Sequence, residues 1–177
     1  MRNLLPFILS LGCGTPKGAD TSDTFSADTG DGFPEKPASF SIQTTGAEPL
    51  NLTFNEPTCS SPTGSPNMRV FWRNNSGQHV FVLVAEVLGM YSGEGVYTPP
   101  NPADPPNRVA IKLQEEAGGQ ARYYASTEDT TSLEINFEIV EEERFSGYAQ
   151  VSSLFGAAGE LTLEPNRWPL WCDNIER

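Results

Sequence analysis

The stretch Leu133-Glu-Ile-Asn-Phe-Glu-Ile139 alternates apolar and polar side chains without a break. Because successive side chains of a β-strand point to opposite faces of the sheet, the alternation places the apolar side chains on one face and the polar ones on the other. This stretch predicts a strand that packs one face on a core and leaves the other face in water.

The same period of two recurs through most of the chain after residue 38. Strands are predicted at 40–42, 50–54, 68–72, 78–88, 109–113, 121–125, 133–139, 145–151 and 161–163. The segment 78–88 is almost continuously apolar and rich in valine, which indicates a central strand buried on both faces. Turns rich in glycine and asparagine are predicted between strands, as at 74–77 and 118–119.

About nine short strands at regular spacing indicate an all-β protein, an antiparallel β-sandwich in one domain. A β-barrel is the alternative, because a period of two does not distinguish two stacked sheets from one closed sheet. The composition agrees, since 15 prolines and 16 glycines among 177 residues indicate a high turn content. The formal net charge of −12 predicts an acidic surface, which disfavours nucleic acid and anionic lipid as partners.

The first residues have the order of a secretory signal. Arg2 supplies a positive charge, residues 4–11 are apolar apart from Ser10, and Gly12 precedes Cys13. The apolar run is too short to span a bilayer, which takes about 20 residues. A cysteine directly after a small residue resembles the signal of bacterial lipoproteins, a family in which that cysteine is lipidated and becomes the new first residue. The alternative is an ordinary signal peptide cut nearby, with Cys13 free or removed.

The resemblance covers the first fourteen residues, and no family is indicated for the folded part. It implies a signal peptide at 1–12 and a lipidated Cys13. Composition and the period of two then divide the rest of the chain into a tether at 13–37 and the β-sandwich domain at 38–177. The tether is small, polar and acidic, with Phe25 and Phe33 as its large apolar residues. Such a segment buries too little apolar surface to offset the entropy of ordering it, so it is predicted to be disordered.

The chain has three cysteines, Cys13, Cys59 and Cys172. Exported proteins tend to pair their cysteines, so an odd one needs a separate explanation. Lipidation of Cys13 provides that explanation and leaves Cys59 and Cys172 to form a disulfide, which an oxidising compartment would preserve. Two unpaired buried thiols are the alternative.

Residues 89–107 form the longest predicted connection, and they include Tyr91, Tyr97 and five prolines. A connection of this length is either functional or a surface excursion. Exposed aromatic rings stack on sugars in carbohydrate-binding modules built on β-sandwiches. Tyr91, Tyr97, Trp168 and Trp171 are therefore the ligand-binding candidates, with core packing or shielding of the disulfide as the alternative role.

Catalytic chemistry has few candidates in this sequence. His79 is the only histidine, which excludes a multi-histidine zinc site, and we interpret it as a hydrogen-bonded structural residue. No metal or cofactor is expected, and the nucleophile motif G-x-S-x-G does not occur. Glutamate clusters at 115–116 and 141–143 offer the carboxylate pair of a small hydrolase, but both are predicted at solvated turns.

The sequence thus favours a non-catalytic, lipid-anchored envelope protein with an interaction or structural role. It predicts export, a lipid anchor at the outer membrane or cell surface of a Gram-negative bacterium, and an envelope protein or glycan as partner. The second hypothesis is a carbohydrate- or peptide-binding module that uses the 89–107 loop. A pocket lined by Tyr91 and Tyr97 would favour this module, whereas burial of both rings in the core would exclude it. The carboxylate-pair hydrolase is the third hypothesis.

Overall fold

The computed structural model describes residues 32–61, 65–74, 79–100, 107–116, 122–127, 130 and 132–176. These residues contain thirteen strands and no helix, which confirms the all-β prediction. A helix that could cross a membrane is accordingly not found among them. The strands are, in chain order, β1 Phe40–Gly46, β2 Asn51–Ser60, β3 Met68–Asn74, β4 Phe81–Leu88, β5 Gly95–Tyr97, β6 Arg108–Glu115, β7 Tyr123–Ala125, β8 Glu134–Val140, β9 Phe145–Gln150, β10 Ser153–Gly156, β11 Gly159–Glu164, β12 Arg167–Cys172 and β13 Ile175–Glu176.

Eight of the described strands form one closed antiparallel sheet. Their order is β1-β11-β10-β7-β6-β4-β3-β2, and β2 pairs again with β1. Gln43 of β1 lies opposite Glu164 on one side and opposite Asn51 on the other, so β1 joins the two ends of the sheet. This closed sheet corresponds to the barrel alternative of the prediction, because closure pairs every one of these strands on both sides.

Strand β2 allows the closure by bending halfway along its length. Its first half pairs with β1 and its second half pairs with β3. A register shift between Asn55 and Pro57 marks the bend, and proline is tolerated at such a bulge because it has no N–H to pair. Past the bend, β13 runs parallel to β2, with Ile175 opposite Cys59.

A second, four-stranded antiparallel sheet, in the order β12-β9-β8-β5, shares the core with the closed sheet and makes the fold sandwich-like. Trp168 of β12 stacks on Phe40 of β1, with ring centroids 6.4 Å apart. Phe40 also meets the ring of Trp72 of β3 edge-on at 4.8 Å. Aromatic side chains from both sheets therefore fill the space between them.

The alternating stretch at 133–139 lies mainly in β8 of the smaller sheet. Ile135 and Phe137 are 0% and 1% exposed, whereas Glu138 between the apolar positions is exposed. One face of this strand is buried in the shared core, as the alternation predicts.

Strand β4 is buried along both faces, as its continuous apolar sequence predicts. Leu83 faces the shared core and is 0% exposed. Val82 and Val84 lie on the opposite face, beside Arg73 of β3 and Lys112 of β6. The aliphatic stems of such long side chains cover apolar surface while their charged ends reach water.

The boundary predicted between tether and domain, at residue 38, lies too late in the chain. Phe33 is 2% exposed, and its ring lies 6.4 Å from the ring of Trp171. The guanidinium of Arg144 lies over Phe33 at 4.3 Å, and the Pro34 carbonyl accepts a hydrogen bond of 3.0 Å from Trp171 Nε1. Residues 32–37 thus belong to the folded domain, because Phe33 of the predicted tether is buried against Trp171 and Arg144. The rest of the predicted tether and the predicted signal peptide lie outside the described residues.

Candidate functional site

Cys59 and Cys172 form the predicted disulfide, with their Sγ atoms 2.07 Å apart. The bond joins β2 to the end of β12, and the two residues are only 0% and 3% exposed. It therefore cross-links the closed sheet to the four-stranded sheet inside the core. Cys13 lies outside the described residues, so its lipidation stays a prediction.

Both tryptophans proposed as ligand-binding candidates are core residues. Trp168 is 2% exposed and belongs to the layer of aromatic rings between the sheets. Trp171 is 8% exposed and holds residues 33–36 to the domain through its ring and its Nε1–H. Its other aromatic contact is with Lys36, whose Nζ lies 5.6 Å from the ring centroid. These rings are used for packing, which is the alternative role that the sequence left open.

The two candidate tyrosines pack together on the core. Tyr97 is 5% exposed and stacks on the partly buried Tyr91 at 5.9 Å, and Tyr91 meets the edge of Phe137 at 5.1 Å. The Tyr97 hydroxyl donates to the Gly93 carbonyl at 2.8 Å and accepts from the Ser92 N–H at 3.0 Å. Burial, and to a smaller extent the neighbouring Tyr97, raises the pKa of Tyr91 to about 12.

Part of the presumed 89–107 loop is therefore built into the fold. Strand β5, Gly95–Tyr97, pairs with β8 and brings the ring of Tyr97 inward. Only one of the two tyrosines keeps part of its ring at the surface, so the described part of the loop offers no pair of stacking rings. Residues 101–106 of this loop lie outside the described residues.

A polar cluster lies at one end of the closed sheet, where β6 ends and β7 begins. The side chain of Glu115 is 4% exposed, and it contacts His79 Nδ1 and, at 3.4 Å, Arg122 Nε. Arg122 Nη1 also contacts the carboxylate of Glu48, which accepts a hydrogen bond of 3.1 Å from the Tyr124 hydroxyl. We refer to these five residues as the end cluster.

The register of the closed sheet explains how the end cluster assembles. Leu113 and Tyr124 lie opposite each other, and the Glu115 N–H donates to the Arg122 carbonyl at 2.8 Å, so side chains on these strands share one face. His79 stands two positions before Phe81, the residue opposite Glu115. The contact with Glu115 gives His79 the polar partner that was predicted for a structural histidine. The side chain of His79 is nevertheless 55% exposed.

One feature of the sequence points to this cluster, although residues 115–116 were predicted to lie at a solvated turn. Glu115 continues the inward-facing alternation of Ile111 and Leu113, and a carboxylate at an inward position needs a charged or hydrogen-bonding partner. The partners of Glu115, His79 and Arg122, lie just before β4 and just before β7, at positions that no local pattern connects to it.

The described glutamates are not arranged as a hydrolytic pair. Glu115 is buried and Glu116 is exposed, while residues 141–143 occupy the exposed turn between β8 and β9. Glu115 and Glu48 are linked through Arg122, whose guanidinium contacts both carboxylates. That guanidinium lies between the two carboxylates, where the bond to be cleaved would lie in a carboxylate-pair hydrolase.

The described part of the chain also has no group of three or more histidine, cysteine or carboxylate side chains placed to hold a metal ion. Several charged side chains of this part pair with one another, as Arg73 does with Glu116 and Arg122 does with Glu48 and Glu115. Comparison with known proteins found no family model, no curated protein and no solved structure that matches this chain.

Proposed function

We propose that this chain is a non-catalytic, lipid-anchored protein of the bacterial envelope with an interaction or structural role. In this proposal Cys13 is acylated and holds the chain at the outer membrane or cell surface of a Gram-negative bacterium. The β-domain then meets an envelope protein or glycan at a distance set by the tether.

The observation that carries the proposal is the pairing of the cysteines. Two of the three cysteines form the Cys59–Cys172 disulfide, which fits an exported protein because cytosolic thiols are normally kept reduced. The remaining cysteine is the one that directly follows the apolar leader, at the position that bacterial lipoproteins acylate.

The docking of Phe33 also bears on the proposed geometry. Because residues 32–37 belong to the domain, the tether of this proposal is shortened to residues 14–31. As a flexible chain, this segment would have an end-to-end distance of roughly 20–25 Å. The domain would thus be held close to the membrane surface, within reach of partners in the same envelope layer.

The contacts of Glu48 and Glu115 argue against a hydrolytic role for this carboxylate pair. Glu48 and Glu115 both form ion pairs with the guanidinium of Arg122, and Glu48 also accepts a hydrogen bond from the Tyr124 hydroxyl. Such a network stabilises the end of the closed sheet through paired charges and hydrogen bonds. We therefore assign the end cluster a structural role.

Labelling with a fatty acid tests the anchor directly. Cells that express the chain are grown with an alkyne-tagged palmitate, and the protein is purified from membrane and soluble fractions. We expect label and membrane location in the unchanged chain, and loss of both in the Cys13→Ser variant. The matched control replaces Cys59 and Cys172 by alanine and keeps Cys13, so it should retain the label. A label that persists in Cys13→Ser, or an unchanged chain that carries no lipid, would contradict the proposal.

A further inference from the structure

The outer face of strands β3, β4 and β6 carries a group of cations around one buried carboxylate. Glu86 of β4 lies opposite Arg69 of β3 on one side and opposite Ala110 of β6 on the other. Arg108 and Lys112 stand two positions before and after Ala110, so they are its neighbours on the same face. The small Ala110 leaves room for both long side chains to reach Glu86.

All three cations contact the same carboxylate. Lys112 Nζ lies 2.5 Å from Glu86 Oε1, Arg108 Nη2 contacts the same oxygen, and Arg69 Nε lies 3.7 Å from Oε2. The Glu86 side chain is 4% exposed, whereas those of Arg69 and Arg108 are 45% and 53% exposed. The buried carboxylate thus contacts the three cations on the side of the sheet, while the side chains of the two arginines are also exposed to solvent.

The charge of this group does not balance. One buried carboxylate needs one cation to compensate it, yet three converge on Glu86. The neighbouring Arg73 is excluded from this count, because it has its own partner in Glu116 at 3.0 Å. Among the described residues the group therefore carries two positive charges more than negative ones, on a chain whose net charge is −12. Like charges held this close repel one another unless an anion joins them.

We propose that Arg69, Arg108 and Lys112 form a binding site for a phosphate monoester. Such a group carries a charge of about −1.5 to −2 at neutral pH and three acceptor oxygens, which matches an excess of two positive charges. The guanidinium fork of each arginine suits bidentate bonds to phosphate oxygens, and Lys112 adds a point charge. A carboxylate ligand, with one negative charge, would leave the site positive. The overall acidic charge of the chain works against polyanions in general, so this face is a local exception.

The phosphate group has two possible sources, a soluble phosphate compound and the headgroup of a lipid. The site stands on side chains of the folded domain, so the inference does not depend on acylation of Cys13. The test uses the full chain with Cys13→Ser. Inorganic phosphate is titrated by calorimetry at pH 7, and the thermal midpoint is measured in phosphate and in chloride of equal ionic strength. Sedimentation with phosphatidylcholine vesicles, with and without phosphatidic acid, tests the lipid source.

We expect phosphate to raise the thermal midpoint above its value in chloride, because a ligand that binds the folded state stabilises it. Arg108→Gln and Lys112→Gln should each weaken phosphate binding about tenfold, since each removes a charge-assisted hydrogen bond. Arg73→Gln is the matched control: it removes a cation from the same face outside the site and should change the affinity less than about twofold.

Binding of phosphatidic acid vesicles that is lost in Arg108→Gln supports the site and assigns a lipid source. Binding of free phosphate without vesicle binding supports the site and assigns a soluble source. The proposal is overturned if neither phosphate nor the vesicles bind. It is also overturned if Arg73→Gln weakens binding as much as Arg108→Gln, because the anion would then be attracted by the overall charge of this face and not bound at one site.

Discussion

Removal of the Cys59–Cys172 disulfide should cost the domain much of its stability. The bond closes a loop with a sequence separation of 113 residues. In the chain-entropy model, the loss of a cross-link across a loop of this length lowers the free energy of unfolding by about 5 kcal/mol. Domains of this size are stable by about 5–15 kcal/mol, so the double variant Cys59→Ala/Cys172→Ala should retain only about 0–10 kcal/mol.

Urea unfolding followed by tryptophan fluorescence measures this loss, because Trp72 and Trp168 are buried in the core and become exposed on unfolding. The unchanged chain is measured with and without reductant, and the double variant in the same two conditions. Reductant should lower the stability of the unchanged chain by nearly the same amount as the double substitution. The double variant should not respond to reductant.

Two results would refute this reasoning. A double variant that loses less than about 1 kcal/mol would show that the cross-link adds little to the contacts between the two sheets. Two thiols that react readily with a thiol reagent in the native, unreduced chain would show that the bond is not formed.

Three further substitutions or titrations probe separate parts of the fold. Gly147→Ala should destabilise the domain by at least about 3 kcal/mol in urea unfolding, because the added Cβ would lie 1.9 Å from the carbonyl oxygen of Asn136. A loss below about 1 kcal/mol would contradict the pairing of β8 with β9. Tyr91 should titrate near its raised pKa of about 12 in the folded chain and near 10 when unfolded, so its contribution to stability is complete below pH 10 and is lost as pH rises towards 12. Ultraviolet absorbance of the phenolate in the unchanged chain and in Tyr91→Phe checks this shift, and a titration at the ordinary value would refute it. Arg122→Gln should lower the free energy of unfolding by about 1–3 kcal/mol, because it removes one partner from the buried Glu115 carboxylate and one from Glu48. Arg73→Gln, in a surface pair, should cost at most about 1 kcal/mol, and equal losses would contradict the burial of the Glu115 carboxylate.

The period of two predicted the strands that bury one face, but not those whose sequences contain turn-forming residues. Strand β5 follows Gly93 and includes Gly95, so its three residues were assigned to a loop. Strand β12 includes Pro169, which usually ends a strand. It is tolerated here because β12 is an edge strand, whose outer side needs no N–H. Strands β10 and β13 are four and two residues long, too short to show a period.

The closure of the large sheet could not be predicted from local patterns. It depends on the pairing of β1 with β11, in which Gln43 lies opposite Glu164. Alternation shows which face of a strand is buried, but it does not show which distant strand lies beside it. The aromatic candidates failed for a related reason, since Trp168 and Tyr97 were placed beside loops by their sequence positions, whereas pairing in the second sheet turns both inward.

The end cluster and the phosphate site show the same limit at the level of side chains. Glu86 stands out in the sequence as one charge within an apolar strand, and a buried carboxylate there requires cations. Which cations reach it is decided by the registers of β3 and β6 on β4, which bring Arg69 of β3 beside Arg108 and Lys112 of β6.

The intact mass of the mature protein from its native membrane fraction, measured with and without reductant, tests the central claim most directly. The account predicts a chain that begins at a di- or triacylated Cys13 and gains about 2 Da on reduction, as one disulfide opens to two thiols. A water-soluble chain without lipid would contradict the anchor, and a mass unchanged by reductant would contradict the disulfide.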